Sequence, residues 1–374
     1  MGTSALPHGP AGLVARAADA VRDHRAFDRA VADQRALAEL LTGPTDVMTV
    51  TETAELPFPA EDVWAVLHDP TTLAHLGTWP LVAAFDLPGA PRGAVGARRC
   101  AVYRLPDGRL QGTLSEVVDV DPGHRATDKA LTSPFPLTTT YVVEAHDGGC
   151  TARLVATGAA PAPIARQMAD EWAAGLRHVM WRVRESLGDP EVAGSAPPVR
   201  TDEEQAWLDQ LYSVERVRAQ MHAVAVTERT SVDLQAPVNV VWHLVADVDS
   251  PMADTADPTA ERFVVPIADA GVEAPPLLAT VSRCEKHADH LHVELDEVVE
   301  SAPMHRIVYR SLRDVRPART VVRLTGGPTG CSVEIESTHE VPAVVRRECR
   351  RQLRTALARY VEALQRHTEV TPAP

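Results

Sequence analysis

One pattern is written into this chain twice, and a fold that accommodates it must accommodate it twice. Thr51-Glu52-Thr53-Ala54-Glu55-Leu56, then Pro59-Ala60-Glu61-Asp62-Val63-Trp64, returns as Thr230-Ser231-Val232-Asp233-Leu234, then Ala236-Pro237-Val238-Asn239-Val240-Val241-Trp242. Later landmarks keep step. The offset is 178 from Trp64 to Trp242, 184 from Cys100 to Cys284, and 181 from Cys150 (after Gly148-Gly149) to Cys331 (after Thr329-Gly330). A single repeat of this size means two domains of one architecture, not a solenoid of short units.

Each copy in a chain of 374 residues is long enough to bury its own core. The formal charge of -14 argues against nucleic acid and anionic membranes as partners, because both need clustered cations. The one cluster, Arg346-Arg347 and Arg350-Arg351, reads as a solvated helix face. No apolar run reaches membrane-spanning length, and the N-terminus lacks a signal peptide's layout. Five cysteines without a CxxC suit a reducing cytoplasm and small buried thiols, not a metal site.

Residues 10–42 are Ala-rich with loose helical spacing, stopped by Gly43-Pro44, and read as a packing arm or a homodimer contact. Alternating segments follow at 47–56, 95–104, 111–120, 125–132, 137–145 and 151–158, separated by turn chemistry such as Asp121-Pro122-Gly123. Tight turns join antiparallel strands, since parallel ones need long crossovers. A helix is predicted over 164–187, with Trp172, Leu176, Val179, Met180, Val183 and Leu187 on one face. Gly188 to Glu204 reads as a linker and 202–222 as a helix. The order then repeats: strand 226–234, helix 237–247, strands at 261–268, 277–286, 290–300, 305–312, 319–325 and 331–339, and a helix over 343–366. The predicted organisation is α+β: an arm at 1–46, a domain at 47–190, a linker with helix at 191–223, a second domain at 224–367 and a tail at 368–374. A curved sheet wrapped around one long helix leaves a gap that becomes a pocket.

In wording, this order resembles the START-like, or SRPBCC, helix-grip superfamily and its polyketide cyclase/dehydrase and lipid-transport group. The resemblance lies in Pro59 to Leu67, Val95 to Arg99, Ser133 to Leu137 and Asp147 to Thr151, and in Ala236 to Trp242, His305 to Tyr309 and the closing helix. A tandem pair is similar to the didomain aromatase/cyclases of aromatic polyketide pathways. The resemblance implies a cofactor-independent cyclase or dehydratase without a bound metal. It also implies a hydrophobic small-molecule substrate, delivered on an acyl carrier protein. The rival implied by the same fold is a non-catalytic carrier of an apolar small molecule.

On that basis candidate residues can be named. No nucleophile elbow, P-loop, dinucleotide fingerprint or HExxH is present. With Arg99, Ala101 and Tyr103 on the cavity face of their strand, Arg99 polarises a carbonyl and Tyr103 donates a proton. His68, near the expected mouth, is the candidate base. Trp64, Trp79, Trp172 and Leu176, and Tyr309 and His339 in the second unit, are the candidate substrate contacts. In the strand 290–300, Leu291, Val293, Leu295 and Val299 are expected inside, with His292, Glu294 and Asp296 in water. The polar, Pro-interrupted stretch 247–261 reads as a lid or a divergent loop.

Overall fold

The computed structural model describes residues 43–74, 79–105, 108–133, 135–197, 223–248, 260–266, 276–284, 287–312 and 318–370, with single positions at 25, 28, 29, 32, 36, 39, 250 and 252. The predicted helix at 202–222, most of 247–261 and most of the arm lie outside the described residues, although the six positions between 25 and 39 are helical.

The first unit runs β1 (Thr45–Leu56), α1 (Ala60–Leu67), α2 (Pro70–Ala74), β2 (Leu81–Asp86), β3 (Arg98–Arg104), β4 (Leu110–Asp121), β5 (Arg125–Ala130), β6 (Leu137–His146), β7 (Gly149–Pro161) and α3 (Ala165–Ser186). Its sheet has the order β1-β7-β6-β5-β4-β3-β2, antiparallel throughout. The second unit repeats this as β8 (Ala223–Leu234), α4 (Val238–Ala246), β9 (Glu261–Val264), β10 (Leu277–Cys284), β11 (His287–Ala302), β12 (Arg306–Ser311), β13 (Arg319–Gly326), β14 (Cys331–Pro342) and α5 (Arg346–Val370), in the order β8-β14-β13-β12-β11-β10-β9. The architecture is therefore two tandem helix-grip domains.

Local sequence explains the elements. The Pro59 carbonyl accepts from Asp62 and Val63 N–H at 3.1 and 3.2 Å, and Glu61 and Asp62 complement the positive end of α1. In β7, Cys150, Ala152, Leu154 and Ala156 alternate inward, and α3 lays Leu176, Val179, Met180 and Val183 over that row and over Tyr141 and Val143. The short β2 and α2 carry weak periodicity and were not anticipated. The start of the predicted linker also folds back: Asp189 is buried and accepts from Glu191 N–H, while the Trp181 indole donates to Ser195 Oγ at 3.0 Å.

Register makes the repeat residue-specific. Leu56 faces Cys150 in one unit, and Leu234 faces Cys331 in the other. Each fourth strand is bulged at the matching place, between Val117 and Asp119 and between Val298 and Glu300. Counting back from those bulges, Arg99 opposite Ser115 corresponds to Leu278 opposite Asp296. Cys100 therefore matches Ala279, and its pairing with Cys284 in the sequence reading is a coincidence of spacing.

The units meet through equivalent faces. Cys100, Val102 and Leu114 pack with Ala279, Val281, Val293 and Leu295 in one apolar cluster. Leu110 N–H donates to the Leu312 carbonyl at 3.1 Å, and its counterpart Leu291 N–H donates to the Leu131 carbonyl at 2.9 Å. Such reciprocity is the signature of an isologous, two-fold-like contact. It corrects the expectation for β11. Val293 and Leu295 are buried, but against the first unit. His292, Glu294 and Asp296 share the face of Ser282, Thr280 and Leu278, and Leu278 belongs to the core under α5. Val299 sits at the bulge, 43% exposed. Alternation identified the two faces, and the partner unit reversed which one is called inside.

Candidate functional site

The middle of β3 is covered by the second unit at Cys100 and Val102 on one face, and its other face borders the concave hollow. Arg99 is therefore buried, at 5% exposure, with Cys100 and Val102 on the opposite face packed against the second unit. A cavity of about 590 Å³ opens along this concave face. Arg99, Ala101 and Tyr103 of β3, Thr113 and Ser115 of β4, and Asp128 and Ala130 of β5 line it. Leu73, Leu105 and Leu137 supply apolar wall.

Within the wall, Arg99 Nη1 donates to Asp128 Oδ2 at 3.0 Å, and Arg99 Nε lies 3.6 Å from Asp86 Oδ1. A charge buried this far persists only where it is paired. Burial opposes the guanidinium charge, but Asp128 above all, then Tyr141 and Asp86, outweigh it and raise the Arg99 pKa. Asp128 moves the other way from a normal carboxylate. Burial raises its pKa, Arg99 pulls it down, and Asp86 adds to the rise. Arg99 Nε and Nη2 and Asp128 Oδ1 are buried and complete no hydrogen bond among the described residues. This arrangement combines a fixed cation with spare N–H groups and a carboxyl poised to hold a proton.

The remaining predicted residues fall in other places. Tyr103 lines the cavity, but its hydroxyl donates to the Ala74 carbonyl at 2.6 Å. Burial pushes its pKa up to about 12, so the phenol stays neutral and its proton is committed to the backbone. That corrects its expected role as proton donor. His68 does not line the cavity. Its Nδ1 is 3.1 Å from Tyr141 Oη, Trp64 stacks on its ring at 4.6 Å, and a Gly93 backbone group bonds it. Gly93 adopts φ 72°, and a side chain there would collide with the imidazole. Burial, then Arg99, lower the His68 pKa, so the ring is neutral. His68 thus holds Tyr141 beside the Arg99 charge, which makes it a positioning residue and not the expected base.

Trp64, Trp172 and Leu176 belong to the packed core of the first unit. Trp79 is half-buried, outside the cavity wall. In the second unit the Tyr309 hydroxyl donates to the Val245 carbonyl, and His339 lies on β14 opposite Val226. Asp128 was missed. Its only sequence signal was a charged residue on the inward row of an alternating strand, opposite Val117 and Thr139.

Register shows what the second unit has at the matching places. Tyr309 faces Val298 as Asp128 faces Val117, and Val322 faces Ile307 as Tyr141 faces Ala126. Leu278, Tyr309 and Val322 thus replace Arg99, Asp128 and Tyr141.

The fold and buried pair define a cavity-bearing helix-grip domain in tandem with a second one. Residues 47–188 match the family model described as polyketide cyclase/dehydrase and lipid transport. No curated protein matches the chain. Among solved structures, the di-domain ARO/CYC BexL from the BE-7585A biosynthetic pathway is 16% identical, covering 87% of this chain and 100% of that one at a TM-score of 0.32. The di-domain ARO/CYC StfQ from the steffimycin biosynthetic pathway is 12% identical, covering 86% and 98% at 0.31. Protein Ms6760 from Mycobacterium smegmatis is 25% identical, covering 41% and 100% at 0.29. Scores this low support no inference about chemistry. No helix among the described residues is long and apolar enough to cross a membrane.

Proposed function

We propose that the first unit catalyses cyclisation with loss of water on a polyketide-like chain bearing several carbonyls, without a cofactor. The chain arrives as a thioester on an acyl carrier protein. The observation that supports this most directly is the Arg99–Asp128 pair in the cavity wall, with guanidinium N–H groups and one carboxyl oxygen left over. In this reading the Asp128 carboxylate removes a proton from a carbon between two carbonyls, and Arg99 holds the enolate oxygen. The enolate carbon then bonds to a second carbonyl carbon. Asp128 returns the proton to the oxygen formed there, and elimination of that hydroxyl with a neighbouring hydrogen releases one water. Folding the chain inside the hollow contributes orientation, worth about 7–11 kcal/mol in favourable intramolecular cases.

The test is turnover of a synthetic poly-β-keto thioester by the full chain, with products resolved by mass. Asp128→Asn is expected to slow the reaction by about 10²–10⁴-fold. Arg99→Met is expected to slow it by about 10²–10³-fold. Unchanged product profiles in both variants reject the assignment. The apolar remainder of the wall favours the carrier reading, in which native mass spectrometry finds the guest bound and its mass unaltered.

A further inference from the structure

The cavity of the first unit is not built from the first unit alone. Leu291, His292 and Val293 of β11 also line it. The Leu291 N–H to Leu131 carbonyl bond pins that strand across the end of β5. Val293 occupies the space left by Gly112, where any side chain would collide with it. His292 Nε2 is buried, completes no hydrogen bond among the described residues, and has Glu294 Oε1 3.6 Å away.

The second unit's own concave face is built differently. Leu278, Tyr309 and Val322 stand in for the polar residues, and Leu357 and Tyr360 of α5 pack against the same cluster. Burial keeps Tyr360 neutral, with its pKa raised, and Tyr309 is pushed up to about 12 in the same way. The three matching positions therefore hold neither a cation nor a carboxylate, and the charges that act on Tyr309 come from elsewhere, Arg262 on β9 and Asp296 on β11.

We propose that the second unit serves as the far wall of the first unit's cavity, with Val293 setting the length of guest accepted and His292 contacting its polar end. This deepens the proposed function and rests on the same cavity, but it concerns binding and needs no turnover. A side chain closing the end of an apolar slot discriminates guests by single methylenes, each worth roughly tenfold or more.

The test measures binding of linear β-diketones of increasing length to the full chain, by displacement of a fluorescent apolar dye. Val293→Ala is expected to improve binding of the first over-long diketone by roughly tenfold, and Val293→Phe to shift the optimum to a shorter member. His292→Leu is expected to weaken diketones with a terminal hydroxyl several-fold and leave those with a terminal methyl unchanged. If Val293→Phe does not fold, the smaller Val293→Ala decides. An unchanged length profile in Val293→Ala, while Leu137→Ala alters it, overturns the proposal. Length-selective binding without turnover upholds the wall and rejects the cyclase. Failure of every diketone to bind the unmodified chain overturns both.

Discussion

Replacing Arg99 by Leu separates pairing from packing in the buried wall. The leucine has a precedent inside the same molecule, since Leu278 occupies the matching position. Arg99 and Asp128 side chains are only 5% and 9% exposed, so solvent screens their interaction little. Removing the cation strands the Asp128 carboxylate beside Asp86. An uncompensated buried charge of this kind costs about 3–5 kcal/mol. At about 2–4 °C per kcal/mol, the melting temperature should fall by roughly 10 °C. The cost depends on pH with a definite sign. Without Arg99 the folded-state pKa of Asp128, already raised by burial, rises further. The folded protein then holds that proton more tightly than the unfolded chain, so the variant is penalised above this pKa and relieved as pH falls through it. Arg99→Leu/Asp128→Leu should recover most of the loss at neutral pH, because nothing charged is left unpaired. Calorimetry and urea titration at neutral and mildly acidic pH measure all of this. A single variant within about 1 kcal/mol of the unmodified chain, or a double variant as unstable as the single, would refute the reasoning.

Three further outcomes follow from the same geometry. Tyr103→Phe removes only the bond to the Ala74 carbonyl and should cost about 0.5–1.5 kcal/mol in urea titration while leaving turnover close to normal. A large turnover loss would return Tyr103 to the chemistry. Because burial lowers the His68 pKa, the unfolded chain binds its proton more readily. Its stabilising contribution is therefore present above the ordinary imidazole range and lost as pH falls through it, and His68→Phe should flatten that part of the stability profile. At the contact between units, Gly112→Ala should destabilise the chain by about 1–3 kcal/mol through overlap with Val293. Val293→Ala in the same chain should restore part of it, and strict additivity in the double-mutant cycle would show that the two positions do not touch.

The comparison of sequence with structure is most instructive at β3 and β11. Alternation in both strands was legible, and it correctly separated Arg99, Ala101 and Tyr103 from Cys100 and Val102. For β11 the same alternation was read backwards, because an apolar face signals burial without naming what covers it. The candidate site was legible only in part. Arg99 stood out as a charge in a strand, whereas Asp128 gained meaning only when β5 brought it within 3.0 Å of that charge. His68 and Tyr103 looked like proton carriers until their partners, Tyr141 and the Ala74 carbonyl, were known.

Duplication, antiparallel order and the long closing helices were determined by the amino-acid sequence itself, since periodicity and turn chemistry act over a few neighbouring residues. Only the tertiary structure decided that the two units meet through their equivalent faces. It alone placed the buried ion pair in the first unit and lent that cavity a wall from the second. The ion pair joins residues 29 positions apart on different strands, and the contacts between units join residues more than a hundred positions apart; no local pattern records a partner at such distances.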